Sequence, residues 1–143
     1  MSLDELYQEL LLDHFKHPRC QGVLINPSAK SALRNPLCGD EVQLALTVKD
    51  GKISEIAFAG HGCSISQASA SMMSDFLKGK SVAEAQTALA SFRSLMKGEE
   101  GVDTDSLGDA AALAGVRKFS ARIRCALLAW EALDACLAQS DKK

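Results

Sequence analysis

The sequence predicts an α+β fold in which a small antiparallel sheet of about three strands packs against helices. Strand-type alternation of apolar residues is confined to the stretch 42–58, whereas helical periodicity marks the N-terminal segment and most of the chain after residue 63. Strands and helices that are segregated in this way are typical of α+β domains. The 143 residues contain no linker and no internal repeat, so 1–143 is predicted to be a single domain that can bury a core without disulfides.

The strands are predicted from period-two patterning. Apolar side chains alternate with small or polar ones in the clearest strand, at Val42, Leu44, Leu46 and Val48. Asp50-Gly51 provides a turn, and the segment from Ile53 to Phe58 is interpreted as the returning strand, with its register left open. A further short strand is expected between Pro27 and Pro36.

Five segments have helical periodicity. The first ends before Pro18, the second runs from Ser64 to Gly79, and the third follows Ser81. The fourth covers 107–115, and the last begins near Ser120. Ser64 with Gln67, and Ser81 with Glu84, have the spacing of a capping box and therefore predict two helix N-termini.

Composition excludes several classes of function. A net charge of −2 gives no global basic field for nucleic acid, and no apolar run is long enough to cross a bilayer. The N-terminal segment lacks the features of a signal or transit peptide, so we expect a cytoplasmic protein. Five cysteines, an odd number, argue against a disulfide framework and favour metal binding, thiol chemistry or simple burial.

Three of the cysteines lie where the local chain would present a thiol. Cys38 precedes Gly39, at which the backbone can bend so that residues 38 and 40 face one point. Cys63 comes directly before a predicted helix, and the positive end of a helix dipole favours the thiolate. Cys125 lies about 200° around the last helix from Ile123, and therefore away from its main apolar stripe.

Three thiolates and one carboxylate form a suitable tetrahedral set for Zn²⁺. The candidate ligands are Cys38, Asp40, Cys63 and Cys125. Because a single buried cysteine is more often a small hydrophobic residue than a ligand, Cys20 and Cys136 are assigned to burial. Histidine is a weaker candidate: His14 and His17 are expected to be solvated or to cap a helix. His61 is interpreted as an exposed loop residue, with a ligand or a donor to a ligand as the alternatives.

One basic cluster stands out, comprising Arg117, Lys118, Arg122 and Arg124. It is either a solvated helix start, a docking surface for an acidic partner, or a field that keeps nearby thiolates ionised, and the sequence leaves these interpretations open.

Four motifs resemble the NifU/IscU superfamily of iron–sulfur assembly proteins over nearly the whole chain. They are Asp13-His-Phe-Lys-His-Pro-Arg19, Asn35-Pro-Leu-Cys-Gly-Asp40, Gly60-His-Gly-Cys-Ser-Ile-Ser-Gln-Ala-Ser-Ala-Ser-Met-Met73 and Arg122-Ile-Arg-Cys-Ala-Leu-Leu-Ala-Trp130. Within the superfamily the chain is most similar to the SufU branch. The interval from Cys63 to Cys125 is long, Arg124 stands where the IscU branch has histidine, and the IscU chaperone-recognition motif is replaced by the residues 114–122.

The resemblance implies a SufE/NifU-like fold and a zinc ion bound by Cys38, Asp40, Cys63 and Cys125. It also implies that this protein is a sulfurtransferase-like partner of a SufS-type cysteine desulfurase rather than a stand-alone enzyme. Other Suf assembly proteins are further partners that the resemblance implies. A histidine of the desulfurase would displace Cys38, which would then accept persulfide sulfur; Cys125 is the second choice of acceptor. The alternative is a scaffold that assembles and transfers a [2Fe–2S] cluster. Two residues depart from the family pattern: Cys20 replaces a common asparagine and Ser120 a common proline.

Overall fold

A computed structural model describes residues 3–36 and 39–140. Its main elements are α1 (Leu3–Lys16), β1 (Ala29–Asn35), β2 (Asp40–Lys49), β3 (Lys52–His61), α2 (Ser64–Leu77), α3 (Val82–Met96) and α4 (Ser120–Ser140). Two 3₁₀ helices, Thr104–Ser106 and Gly108–Lys118, lie between α3 and α4. The predicted α+β class is confirmed, and the Ala-rich segment 107–115 forms a 3₁₀ helix within slightly different bounds.

The sheet is antiparallel with the order β1-β2-β3. Val42, Leu44 and Leu46 point from the central strand into the core, as their alternation predicts. At one end of the sheet Asn35 pairs with Asp40, and Glu41 pairs with His61 on the other neighbouring strand. The end of β1, the start of β2 and the end of β3 therefore meet at one edge.

The helices α2, α3 and α4 are held together around Trp130. Its ring is fully buried and stacks on Phe92, with centroids 4.4 Å apart and an interplanar angle of 10°. The indole Nε1 donates to Ser69 Oγ at 3.2 Å, and that hydroxyl donates to the Ala126 carbonyl at 2.7 Å. Ser69 of α2 thus allows close packing against α4, because its short polar side chain finds partners on that helix.

His14 is fully buried, so the predicted solvated or capping role is wrong for this residue. Its Nδ1 lies 2.8 Å from Ser71 Oγ, and its Nε2 lies 2.9 Å from Asp109 Oδ2. The residue follows Tyr7 and Leu10 at helical spacing and so belongs to the face of α1 that packs inward. His17 is exposed, as expected.

The two predicted capping boxes have different outcomes. Ser81 accepts from Glu84 N and Glu84 accepts from Ser81 N, at 3.0 and 3.1 Å, so the box of α3 is confirmed. The prediction for α2 is wrong, because Ser64 is already helical and the N-cap residue is Cys63, whose side chain makes no capping bond.

None of the helices in the described part of the chain is both long and apolar enough to span a membrane.

Candidate metal centre

Asp40 and Cys63 are hydrogen-bonded at the end of the sheet where β1 and β3 end and β2 begins. The Asp40 side chain is almost completely buried, and its Oδ1 accepts a hydrogen bond from Cys63 N at 2.8 Å. Its Oδ2 lies 3.6 Å from Cys63 Sγ. A buried carboxylate requires polar partners, and this bond fixes the orientation of Asp40 towards the thiol at the start of α2.

The helix α4 brings Cys125 to the same point. Cys125 is fully buried, and Asn35 Nδ2 lies 4.0 Å from its Sγ, within the range of a weak hydrogen bond to sulfur. One ligand atom from each of Asp40, Cys63 and Cys125 lies within 4.8 Å of the other two. Residues separated by up to 85 positions in sequence are therefore brought together at one centre.

The donor set fits a zinc ion. Ligand atoms at the corners of a zinc tetrahedron with bonds of about 2.3 Å are roughly 3.8 Å apart. Here Asp40 Oδ2 and Cys63 Sγ are 3.6 Å apart, and the three ligand atoms lie within 4.8 Å of one another. Cys38, the fourth predicted ligand, lies outside the described residues. Its neighbour Gly39 has φ of +74°, in the left-handed region that favours glycine, and Gly39 N donates to the Asn35 carbonyl at 2.8 Å. The chain therefore bends tightly beside Asp40.

Within the basic cluster, Arg122 lies beside the candidate metal centre. The pKa of its guanidinium is raised, first by side-chain hydrogen bonding to Cys125 and then by the charges of Cys63 and Cys125. Arg122 thus provides positive charge beside the two thiols, and the interpretation of the cluster as a field that acts on thiolates stays a prediction. Arg124 is exposed.

Cys20, Cys136 and His61 lie apart from this group. The His61 side chain is 72% exposed and its Nε2 lies 3.4 Å from Glu41 Oε2, in agreement with the interpretation as an exposed residue. Cys20 is half-buried and Cys136 is buried, and burial raises the pKa of both thiols. Among the described residues, only Asp40, Cys63 and Cys125 form a group with metal-binding spacing.

Sequence reasoning did not identify the roles of Asn35 and Gly62. Asn35 is 5% exposed at the end of β1, and its Nδ2 approaches Cys125 Sγ. Its position three residues before a candidate ligand was the available signal. Gly62 has no room for a side chain: a Cβ there would collide with Asp40 Oδ1 and lie 2.6 Å from Ser66 Oγ.

Replacing Gly62 with Ala is expected to destabilise the protein by about 1–3 kcal/mol, because the added methyl group overpacks the Asp40 carboxylate. Zinc affinity should fall as well, since Asp40 must move. Chemical unfolding and a zinc competition titration measure the two effects. Gly101→Ala is the matched control, because Gly101 also has a positive φ, +75°, but open space around its Cβ position. Equal zinc affinities for the two variants would contradict the expected collision.

With a cysteine- and aspartate-lined candidate metal centre at the end of a three-stranded sheet that is covered by helices, the chain is an α+β domain. The chain belongs to the family of the NifU-like N terminal domain, whose model matches residues 6–126. The superfamily predicted from the motifs is thereby confirmed.

Two relatives have equal identity to this chain and different names. The chain is 44% identical over 140 residues to the zinc-dependent sulfurtransferase SufU of Bacillus subtilis strain 168, across 98% of this chain and 95% of that protein. It is also 44% identical over 139 residues to the iron–sulfur cluster assembly scaffold protein IscU of Streptococcus pyogenes serotype M1, across 97% and 87%. Identity alone therefore does not separate sulfur transfer from a scaffold function.

The fold agrees with a solved relative. The crystal structure of a nitrogen-fixing NifU-like protein (N-terminal) from Brucella abortus has a TM-score of 0.88 and 26% identity, and the match covers 99% of both chains. The NifU-like architecture predicted from the sequence is thus confirmed over the length of this chain.

Proposed function

We propose that this protein is a zinc-dependent sulfur acceptor for iron–sulfur cluster assembly, which takes persulfide sulfur from a SufS-type cysteine desulfurase and activates that enzyme. The observation that supports this most strongly is the approach of Asp40, Cys63 and Cys125 to within 4.8 Å. Similarity to a zinc-dependent sulfurtransferase supports the same conclusion. Free thiols of this kind persist in a reducing compartment, which fits the predicted cytoplasmic location. Contacts with other Suf assembly proteins are part of the same proposal.

The zinc ion would be held by Asp40, Cys63, Cys125 and Cys38. When bound, zinc keeps its thiol ligands deprotonated at neutral pH. Four anionic ligands around a divalent cation leave a net negative site, and the Arg122 guanidinium beside Cys63 and Cys125 offsets part of that charge.

Cys38 is the proposed acceptor. In sequence it comes between β1 and β2, directly before Gly39, whereas Cys125, the second choice, is fully buried on a helix. The released Cys38 thiolate attacks the outer sulfur of the desulfurase persulfide. A new S–S bond forms on Cys38, the S–S bond of the desulfurase breaks, and the cysteine of the desulfurase leaves as a thiolate. The exchange needs no external oxidant or reductant.

A scaffold for a [2Fe–2S] cluster is the second candidate, since the same ligands suit iron and a relative at 44% identity is named as a scaffold. Sulfur transfer is preferred because Arg124 stands in place of the histidine of the IscU branch and points to solvent.

Purification under anaerobic conditions separates the two functions. Sulfur transfer predicts a colourless protein with about one zinc per chain. A brown protein with thiolate-to-iron absorption would support the scaffold function instead. Addition of the zinc-loaded protein to a SufS-type desulfurase should then increase cysteine turnover, and no increase would contradict the proposal.

The variant Cys38→Ala is expected to abolish that increase in turnover, because the acceptor thiolate is removed. Cys136→Ala should leave it largely intact, since Cys136 is buried against Ser31, with Sγ and Oγ 3.4 Å apart, and away from the centre. Sulfide release in the presence of a reductant measures both. Equal activity of the two variants would identify Cys38 as the wrong acceptor.

A further inference from the structure

A groove lies between α3, the second 3₁₀ helix and α4. It consists of two adjoining cavities of about 480 and 460 Å³, which share Met96, Lys97 and Ile123 in their walls. The first cavity is also lined by Gly98, Ala114, Arg117 and Lys118. The second is also lined by Arg93, Leu127 and Glu131. We call this surface the α3/α4 groove.

The floor of the α3/α4 groove is apolar. Ile123 and Leu127 lie one turn apart on α4, both half-buried, and Met96 is buried beneath them. From Ile123 to Glu131 the helix rises by about 12 Å, so the floor accommodates roughly two turns of an added helix. Because Cys125 lies on the other face of α4, the groove and the candidate metal centre are on opposite sides of that helix.

The two ends of the groove differ in charge. At one end Arg93 is neutralised, since its Nη2 lies 2.7 Å from Glu131 Oε2 and 3.2 Å from Asp134 Oδ2. At the other end Lys97, Arg117 and Lys118 are exposed. Within residues 3–36 and 39–140, neither Lys97 nor Arg117 has an acidic partner within 4.0 Å. A basic rim over an apolar floor, in a chain of net charge −2, is a local feature that is complementary to an acidic amphipathic ligand.

We propose that the α3/α4 groove docks an acidic amphipathic helical segment of a partner protein. Apolar side chains of that segment contact Ile123 and Leu127, and its carboxylates pair with Lys97, Arg117 and Lys118. This is the helix-in-groove mode of recognition, in which anchors at positions i and i+4 occupy the floor. Docking here leaves the candidate metal centre open, so the proposal does not depend on the proposed sulfur transfer.

A synthetic peptide tests the proposal. The probe is a fluorescein-labelled helical peptide of about 12 residues, roughly three turns, with leucines at i and i+4 flanked by glutamates. It should bind the full-length, zinc-loaded protein, and K97E/R117E should weaken binding by about tenfold or more through like-charge repulsion. K49E/K52E, which reverses two lysines at the turn between β2 and β3, should bind like the wild type.

A second peptide provides a charge-swap control. With lysines in place of the glutamates it should bind K97E/R117E more tightly than the wild type. No binding of the glutamate peptide, or equal affinity for K97E/R117E and K49E/K52E, would overturn the proposal. So would amide shifts in labelled protein that map to the sheet rather than to Ile123 and Leu127.

Folding and sulfur transfer are checked separately. Zinc content, thermal unfolding and desulfurase activation should be unchanged in K97E/R117E. If that variant does not fold, K97Q/R117Q replaces it, with the same expected loss of the charge-dependent part of binding; wild-type affinity in this variant would overturn the proposal. Loss of peptide binding with normal desulfurase activation therefore separates the groove from the metal centre.

Discussion

Replacing Cys125 with Ala is expected to weaken zinc binding by about 100-fold or more, because even residues that only orient metal ligands contribute 10–100-fold to affinity. Cys125 is fully buried and contributes one of the three described ligand atoms that lie within 4.8 Å of one another. A 100-fold loss of affinity removes about 2.7 kcal/mol of zinc-dependent stabilisation when the metal is in excess. Competition with a chromophoric chelator measures the affinity, and thermal unfolding with and without zinc measures the stabilisation.

Cys136→Ala is a closely matched control for this prediction. Cys136 is on the same helix, is equally buried and undergoes the same change of side chain. Its thiol contacts Ser31 Oγ and the Leu44 carbonyl rather than a ligand. Its substitution should leave zinc affinity unchanged, although the free energy of unfolding falls modestly. If both variants bind zinc equally well, Cys125 is not a ligand.

Replacing Trp130 with Ala is expected to lower the free energy of unfolding by about 3–5 kcal/mol, as for other fully buried aromatic residues. The substitution leaves a large cavity, removes the stacking on Phe92 and takes away the donor to Ser69. Urea unfolding followed by circular dichroism measures the change. This would be a large part of the total stability of a domain of this size.

Phe119→Ala is the control for the core, because that ring is 55% exposed. Substitutions at such surface positions usually change stability by about 0.5 kcal/mol or less. Comparable destabilisation by Phe119→Ala and Trp130→Ala would mean that the stacked pair is not the centre of the core.

Local sequence signals predicted the elements whose determinants are close in sequence. The alternation in β2, the Ser81 capping box and the position of Cys125 away from the Ile123 stripe all depend on neighbouring residues. The identity of the candidate ligands also followed from residue type together with family motifs.

Contacts between distant segments were not predictable in this way. His14 is separated in sequence by 57 residues from Ser71 and by 95 from Asp109, so periodicity in α1 indicated its face but not its partners. The start of α2 at Ser64 is as predicted, but its capping box was not, because the Asp40 carboxylate from another strand binds Cys63 N at the N-cap. The α3/α4 groove likewise depends on the packing of three elements. Local sequence signals indicated the basic residues 117 and 118 at its rim but not the groove itself.

The hydrogen bond from Cys63 N to Asp40 Oδ1, 2.8 Å long, occupies one lone pair of that oxygen and orients the carboxylate. Oδ2, which lies 3.6 Å from Cys63 Sγ, is then the oxygen directed towards a cation at the candidate centre, and this favours monodentate coordination. Monodentate coordination keeps the total at four ligands and disfavours Ca²⁺, which takes six to eight oxygen ligands and often binds a carboxylate through both. A single main-chain amide thus contributes to ion selectivity before any ion arrives.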